Sequence, residues 1–183
     1  GVKLPSDMDG GPHNPVGPNE TMQVDFTVNQ EAATLWFHPH ALGTTAEQVY
    51  AGLAGLIFVE DDNSEQLDLP KDYGVNDFPL IVQDRTFDAN NQFDYAGTYN
   101  PDGTYGDTLL VNGTINPYVE VKNEQIRLRL VNGSNARNYT FGLENGAEFH
   151  QIASDGGFLE QPVALTAVTL TPGERAEIIV DLT

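Results

Sequence analysis

Short apolar stretches, each cut off by a turn dipeptide, recur along almost the whole chain, and none of them holds a helical period for long. "IRLRLVN" (126–132) shows the pattern most clearly. Ile126, Leu128 and Leu130 alternate with Arg127 and Arg129, as a strand does when one face meets the core and the other meets water. "QVDFTVN" (23–29) alternates in the same way, with Val24, Phe26 and Val28 on one side, and predicts a half-buried strand. "TLWFH" (34–38), "GLIFVED" (55–61, a buried strand ending in acids), "FPLIVQD" (78–84), "TLLVNG" (108–113), "YVEV" (118–121), "VALTAVTL" (163–170) and "AEIIVDL" (176–182) read as further strands. "NGTINP", "KNEQ", "NGSN", "SDGG" and "TPGE" supply the turns between them. With 18 glycines and 11 prolines to punctuate it, the chain is expected to form an all-β fold, a β-sandwich or Greek-key barrel.

The organisation is uneven. A Gly/Pro loop (5–20) opens the chain, and a short helical turn is expected from Thr45. "DDNSEQLDLPKDYGVND" (61–77) is polar and reads as a linker between two domains. The part before it has too few strands to close a sandwich, and is expected to be the latter half of a domain. The part from 78 to 183 is long enough to be complete. A chain that starts at Gly1 rather than Met is expected to be a fragment.

The composition narrows the function. With 27 acidic against 8 basic residues the net charge is −19, which repels nucleic acid and anionic membrane surfaces. The acids are scattered, as on a solvated surface. Without cysteine there is no disulfide, catalytic thiolate, iron–sulfur cluster or blue-copper site. No apolar run approaches membrane-spanning length.

Two of the four histidines stand one residue apart, as His38–Pro39–His40. On a strand, residues i and i+2 share a face, so the pair could hold one metal ion or one each of two. Pro39 fixes its own backbone and restricts the residue before it. The alternative is two polar residues on a strand whose other face is buried, and spacing alone does not separate the two. His13, in a loop, and His150, in the apparent strand "EFHQI", carry no mark of a third ligand.

The residues around the pair add more. "WFHPHALGTTAEQVYAGLAGLIFVED" resembles the second copper-ligand motif of the multicopper oxidases. "DMDGGP", "DFPLIVQDRTFD", "GDTLLVNG", "IRLRLVNGSNAR", "IASDGGFLEQPV" and "LTPGERAEIIVDL" resemble three-domain bacterial members of that family: laccases, cuprous oxidases and bilirubin oxidases. The resemblance covers essentially the whole chain. It implies cupredoxin-like Greek-key sandwiches, with 1–61 the latter part of domain one, 62–77 a linker and 78–183 domain two. It implies that Gly1 closes an H-W-H-G motif, so that the first ligand pair precedes the chain.

The resemblance also assigns roles. His38 and His40 would each bind one copper ion of the type 3 pair in a trinuclear cluster shared with a third domain in cis. Asp9, in "DMDGGP", aligns with an acidic residue that the family places near the cluster for proton delivery. Its other reading is a turn residue before two glycines. Trp36 is expected to pack in the core. Leu42 stands where many members carry a histidine that is not a cluster ligand. The family's partners are molecular oxygen and a small phenolic or metal-ion donor, and the resemblance implies a place outside the cytoplasm, in the periplasm or at the cell surface, with the cytoplasm as the alternative. Because the type 1 site needs a thiolate, this chain alone is expected to be inactive. The sequons at Asn19, Asn112, Asn132 and Asn138 read as chance. The competing function is a scaffold: relatives in bacterial cell division keep the domains but have replaced the H-x-H pair.

Overall fold

A computed structural model describes residues 1–122 and 124–183. In chain order the elements are β1 (Ala33–Phe37), α1 (Thr45–Tyr50), β2 (Gly55–Val59), α2 (Asp62–Gln66), β3 (Asp77–Arg85), α3 (Tyr95–Thr98), β4 (Thr108–Val111), β5 (Thr114–Ile115), β6 (Gln125–Asn132), β7 (Tyr139–Gly142), β8 (Phe149–Ser154), β9 (Gly157–Leu165), β10 (Ala167–Leu170) and β11 (Arg175–Asp181). The fold is all-β, with only short helices at its connections.

Seven strands form one sheet in the order β5-β4-β3-β6-β11-β8-β9. All neighbours are antiparallel except β3 and β6, which run parallel. A parallel pair needs a crossover, and β4 and β5 supply it by turning back along the outer edge of β3. That turn is Asn112–Gly113, both at positive φ (50° and 75°), the two-residue hairpin geometry that Asn-Gly favours. The Asn112 side chain then accepts from the Ile81 N–H and donates to the Pro79 carbonyl, tying the hairpin to β3. A ribbon of β7 and β10 covers one face of the large sheet. Phe78, Ile126, Leu130, Phe149, Leu170, Ala176, Ile178 and Val180 fill the space between, with Phe141 and Val168 packed against them. Each such aliphatic or aromatic side chain contributes about 1.5–3 kcal/mol by burial.

The opposite face of the sheet departs from the alternation rule. Arg127 and Arg129 are 6% and 5% exposed, not solvated. The ribbon of β1 and β2 comes close to this face. Phe58 of β2 lies under the Arg129 guanidinium at 4.4 Å, and Thr34 of β1 accepts a hydrogen bond from Arg129 at 2.9 Å. Asp77 and Glu177 supply the counter-charges. Arg129 Nη2 pairs with Asp77 at 2.6 Å, and Arg127 Nε donates to Glu177 at 2.8 Å. A charged face could go under only because each cation found an acid there. Asp77, the last residue of the stretch read as a linker, is therefore buried structure. Within that stretch α2 also forms, started by a reciprocal capping box between Asp61 and Ser64.

Other expectations shift. Residues 23–29 form no strand, and Val24, Phe26 and Val28 are exposed, because none of the described strands pairs with them. Residues 118–121 are likewise unpaired, and Tyr118 is almost fully exposed. The run at 163–170 breaks after Leu165, so that one part pairs with β8 and the other with β7. β2 is half-buried for most of its length rather than fully buried. Asn132 is wholly buried, its amide spent on the Arg137 and Leu170 carbonyls and the Ser134 N–H, so that sequon offers no glycan site.

Candidate metal centre

β1 ends at Phe37, so His38 and His40 lie just beyond the strand rather than on it. Pro39 has no N–H to continue a ladder, which accounts for the early stop. The two rings nevertheless come side by side, with centroids 5.7 Å apart and planes 26° from parallel. His38 Nδ1 lies 2.9 Å from the Pro39 carbonyl. A carbonyl only accepts, so Nδ1 is the donor here, and in the neutral ring that arrangement leaves the Nε2 lone pair free. Metal-bound histidines are held in the same way. Trp36 is half-buried, with its ring 4.5 Å from that of His38 and tilted by 40°, so it supports the imidazole instead of filling a sandwich interior.

Asp9 joins this pair. Asp9, Gly10, Asn14, His38, His40 and Gln48 line one cleft. The Leu42 N–H donates to the Pro12 carbonyl at 3.1 Å and so fastens the two loops together. Asp9 also sits in a turn, its own N–H bonded to the Pro5 carbonyl at 3.1 Å. The backbone thus closes a turn while the exposed side chain borders the cleft. His13 and His150 are exposed and line no part of it. Among the described residues no group of three or more histidine, cysteine or acidic side chains is arranged to hold a metal ion. The donor set fits copper in kind, with two imidazoles of which one has its free nitrogen defined, but it supplies only part of a coordination shell.

What flanks the histidines was not foreseen from sequence. On the β1 side, Thr34 is held by Glu177, Arg129 and Arg175. On the α1 side, Arg85, Thr86 and Asn135 bond to Val49, Tyr50 and Ala46. The one available signal was the pair of arginines alternating within an otherwise apolar strand, which asks for acids opposite.

Two models of the multicopper oxidase family match the chain, one over residues 1–64 and the other over residues 64–183. The chain belongs to the multicopper oxidase family, and its fold is the cupredoxin-like one of that family. It is 47% identical, over all of its length and 40% of the relative's, to the multicopper oxidase mco of Staphylococcus epidermidis. It is 45% identical, over all of its length and 39% of the relative's, to the cell division protein FtsP of Salmonella typhimurium. The crystal structure of a laccase from Pediococcus acidilactici superposes with a TM-score of 0.95 at 45% identity, covering 99% of this chain and 39% of that one. The chain thus spans about two fifths of the length of the relatives it matches.

Proposed function

We propose that the intact protein is a copper-dependent oxidase that passes electrons from a phenolic or metal-ion donor to molecular oxygen, and that His38 and His40 each bind one copper ion of a type 3 pair. The observation that carries this reading is the side-by-side pair of imidazoles in the cleft that Asp9 borders. Copper bound there would accept and release single electrons, the chemistry that oxygen reduction requires and that protein side chains lack. The chain's own residues bind, orient and move protons. His38 presents Nε2 because Pro39 holds Nδ1. Asp9 has a carboxylate at the cleft, where it can relay protons from solvent. Residues 1–61 and 78–183 act as part of a first and as a second domain, with 62–77 joining them. The remaining copper ligands would come from outside this chain, including a third domain in cis, and residues 1–183 would be inactive alone. The family resemblance favours a place outside the cytoplasm.

A second reading rests on the FtsP relative, which is almost as similar over the whole chain. It makes the parent a copper-free scaffold in bacterial cell division. The retained His38–Pro39–His40 favours the oxidase.

Elemental analysis and oxygen uptake on a phenolic donor, both on the full-length protein loaded with copper, separate the two. The oxidase reading expects bound copper, with turnover abolished and copper content reduced in His38→Ala and His40→Ala. It expects Asp9→Asn to keep its copper but turn over more slowly, with an altered pH profile. A folded protein with neither copper nor turnover would leave the scaffold.

A further inference from the structure

Arg85 has surroundings that packing alone does not explain. It is 0% exposed, and among the described residues no carboxylate lies within ion-pair distance of its guanidinium. Its Nε is buried without a hydrogen-bond partner. Burial lowers its pKa, as expected for a cation removed from water. Such a group is unfavourable unless it does something specific. Its Nη1 donates to the Asp84 carbonyl at 2.7 Å, and its Nη2 to the Val49 carbonyl at 2.9 Å. The guanidinium also lies 4.6 Å from the Tyr50 ring centroid. Val49 is in the last turn of α1, where its carbonyl also accepts from the Gly52 N–H at 3.0 Å and no basic residue of the helix itself is present, so Arg85 supplies the positive charge at that helix end. The Thr86 N–H donates to the Tyr50 hydroxyl at 2.7 Å, and Asn135 Nδ2 donates to the Ala46 carbonyl at 2.8 Å. β3 and the segment after β6 thus grip the far end of the loop that carries the histidines.

The near end is gripped as firmly. Thr34 Oγ1 donates to Glu177 Oε1 at 2.6 Å and accepts from Arg129 at 2.9 Å. The Thr34 carbonyl accepts from Arg175 Nε at 3.2 Å. These bonds join β1 to β6 and β11, four residues before His38.

We infer that Arg85 and Thr34 are positioning residues, the two jaws of a clamp by which the seven-stranded sheet sets the His38–His40 loop in place. The clamp rests on the ligand assignment proposed above only for its consequence, not for its existence. A two-stranded ribbon of this size is marginal alone, so its connection cannot hold two imidazoles to the fraction of an ångström that metal binding asks for. The sheet behind it can.

The test uses the full-length protein as wild type, Arg85→Lys, Thr34→Val and, as a control in the sandwich core, Leu170→Ala. Hydrogen exchange of residues 38–44, followed by mass spectrometry on copper-free protein, reads the clamp directly. Competition against a chelator for copper reads its consequence. Arg85→Lys and Thr34→Val are each expected to speed exchange of 38–44 by about tenfold or more, and to weaken copper binding by about 10–100-fold, the range for groups that orient ligands. Leu170→Ala is expected to lower Tm without either effect. Should Arg85→Lys fail to fold, Thr34→Val carries the test alone. Exchange of 38–44 that follows Tm equally in all three variants would overturn the clamp. Copper binding indifferent to His38→Ala would overturn the ligand assignment, and the exchange result would still decide the clamp.

Discussion

Residues 23–29 and strand β6 carry the same alternating pattern and end in opposite states. In the first, Val24, Phe26 and Val28 form an apolar row that no described strand pairs with, and Phe26 is 38% exposed. In the second, β3 and β11 pair with both edges, the β7–β10 ribbon covers the apolar row and the β1–β2 ribbon approaches the arginine row. The lesson is that alternation encodes a capacity to pair, not the pairing itself. What a strand finally buries depends on the surfaces brought against it. The arginine row went under because β1 and β2 approach it and because Asp77 and Glu177 lie within reach.

The buried arginine row depends most on Glu177. Glu177→Gln removes the acid that Arg127 and Thr34 share, and is expected to cost about 3–5 kcal/mol in denaturant unfolding, the usual effect of breaking a buried ion pair. A cost near zero would mean that the arginine face is wet, as its alternation first implies.

A smaller effect is expected at Asp84, at the far end of β3, and it depends on pH. Burial alone would raise its carboxyl, but bonds involving Ser134, Arg137 and the Gly106 N–H outweigh burial and hold it below its ordinary 3.8. A folded pKa below the unfolded one stabilises the protein above the ordinary range, and that stability is lost as pH falls through the folded value. Asp84→Asn is therefore expected to cost about 1–3 kcal/mol near neutrality. The gap from wild type should close as a Tm series descends below about pH 4. A gap that stayed constant with pH would assign the effect to shape instead of charge.

The smallest effect belongs to the unpaired row. Phe26→Ser in the 183-residue chain is expected to change unfolding free energy by less than about 0.5 kcal/mol. In a longer protein, a cost of about 2 kcal/mol or more would show that a strand from outside these residues covers the row.

Most of the central strands were legible because their apolar runs end at turn residues whose backbone demands are local, as at Asn112–Gly113. The histidine pair was legible as a pair, since two ligand-type side chains one residue apart around a proline are visible without any fold. Its geometry was not. The side-by-side rings, the free Nε2 of His38 and the nearness of Asp9 all depend on loops that meet in space. Arg85 gave no signal at all, since its partners are main-chain carbonyls, one of them 36 residues away.

The all-β class, the run of the central strands and the candidate histidines follow from residue order, because periodicity, turn chemistry and residue type are properties of neighbours along the chain. Contacts between distant segments settled which alternating run found partners, the burial of Arg127 and Arg129, and the bonds that Thr34 and Arg85 make on either side of the histidine loop. Those outcomes rest on hydrogen bonds and ion pairs between residues as far apart as Thr34 and Glu177, and the energy of such pairs exists only once folding has brought them together.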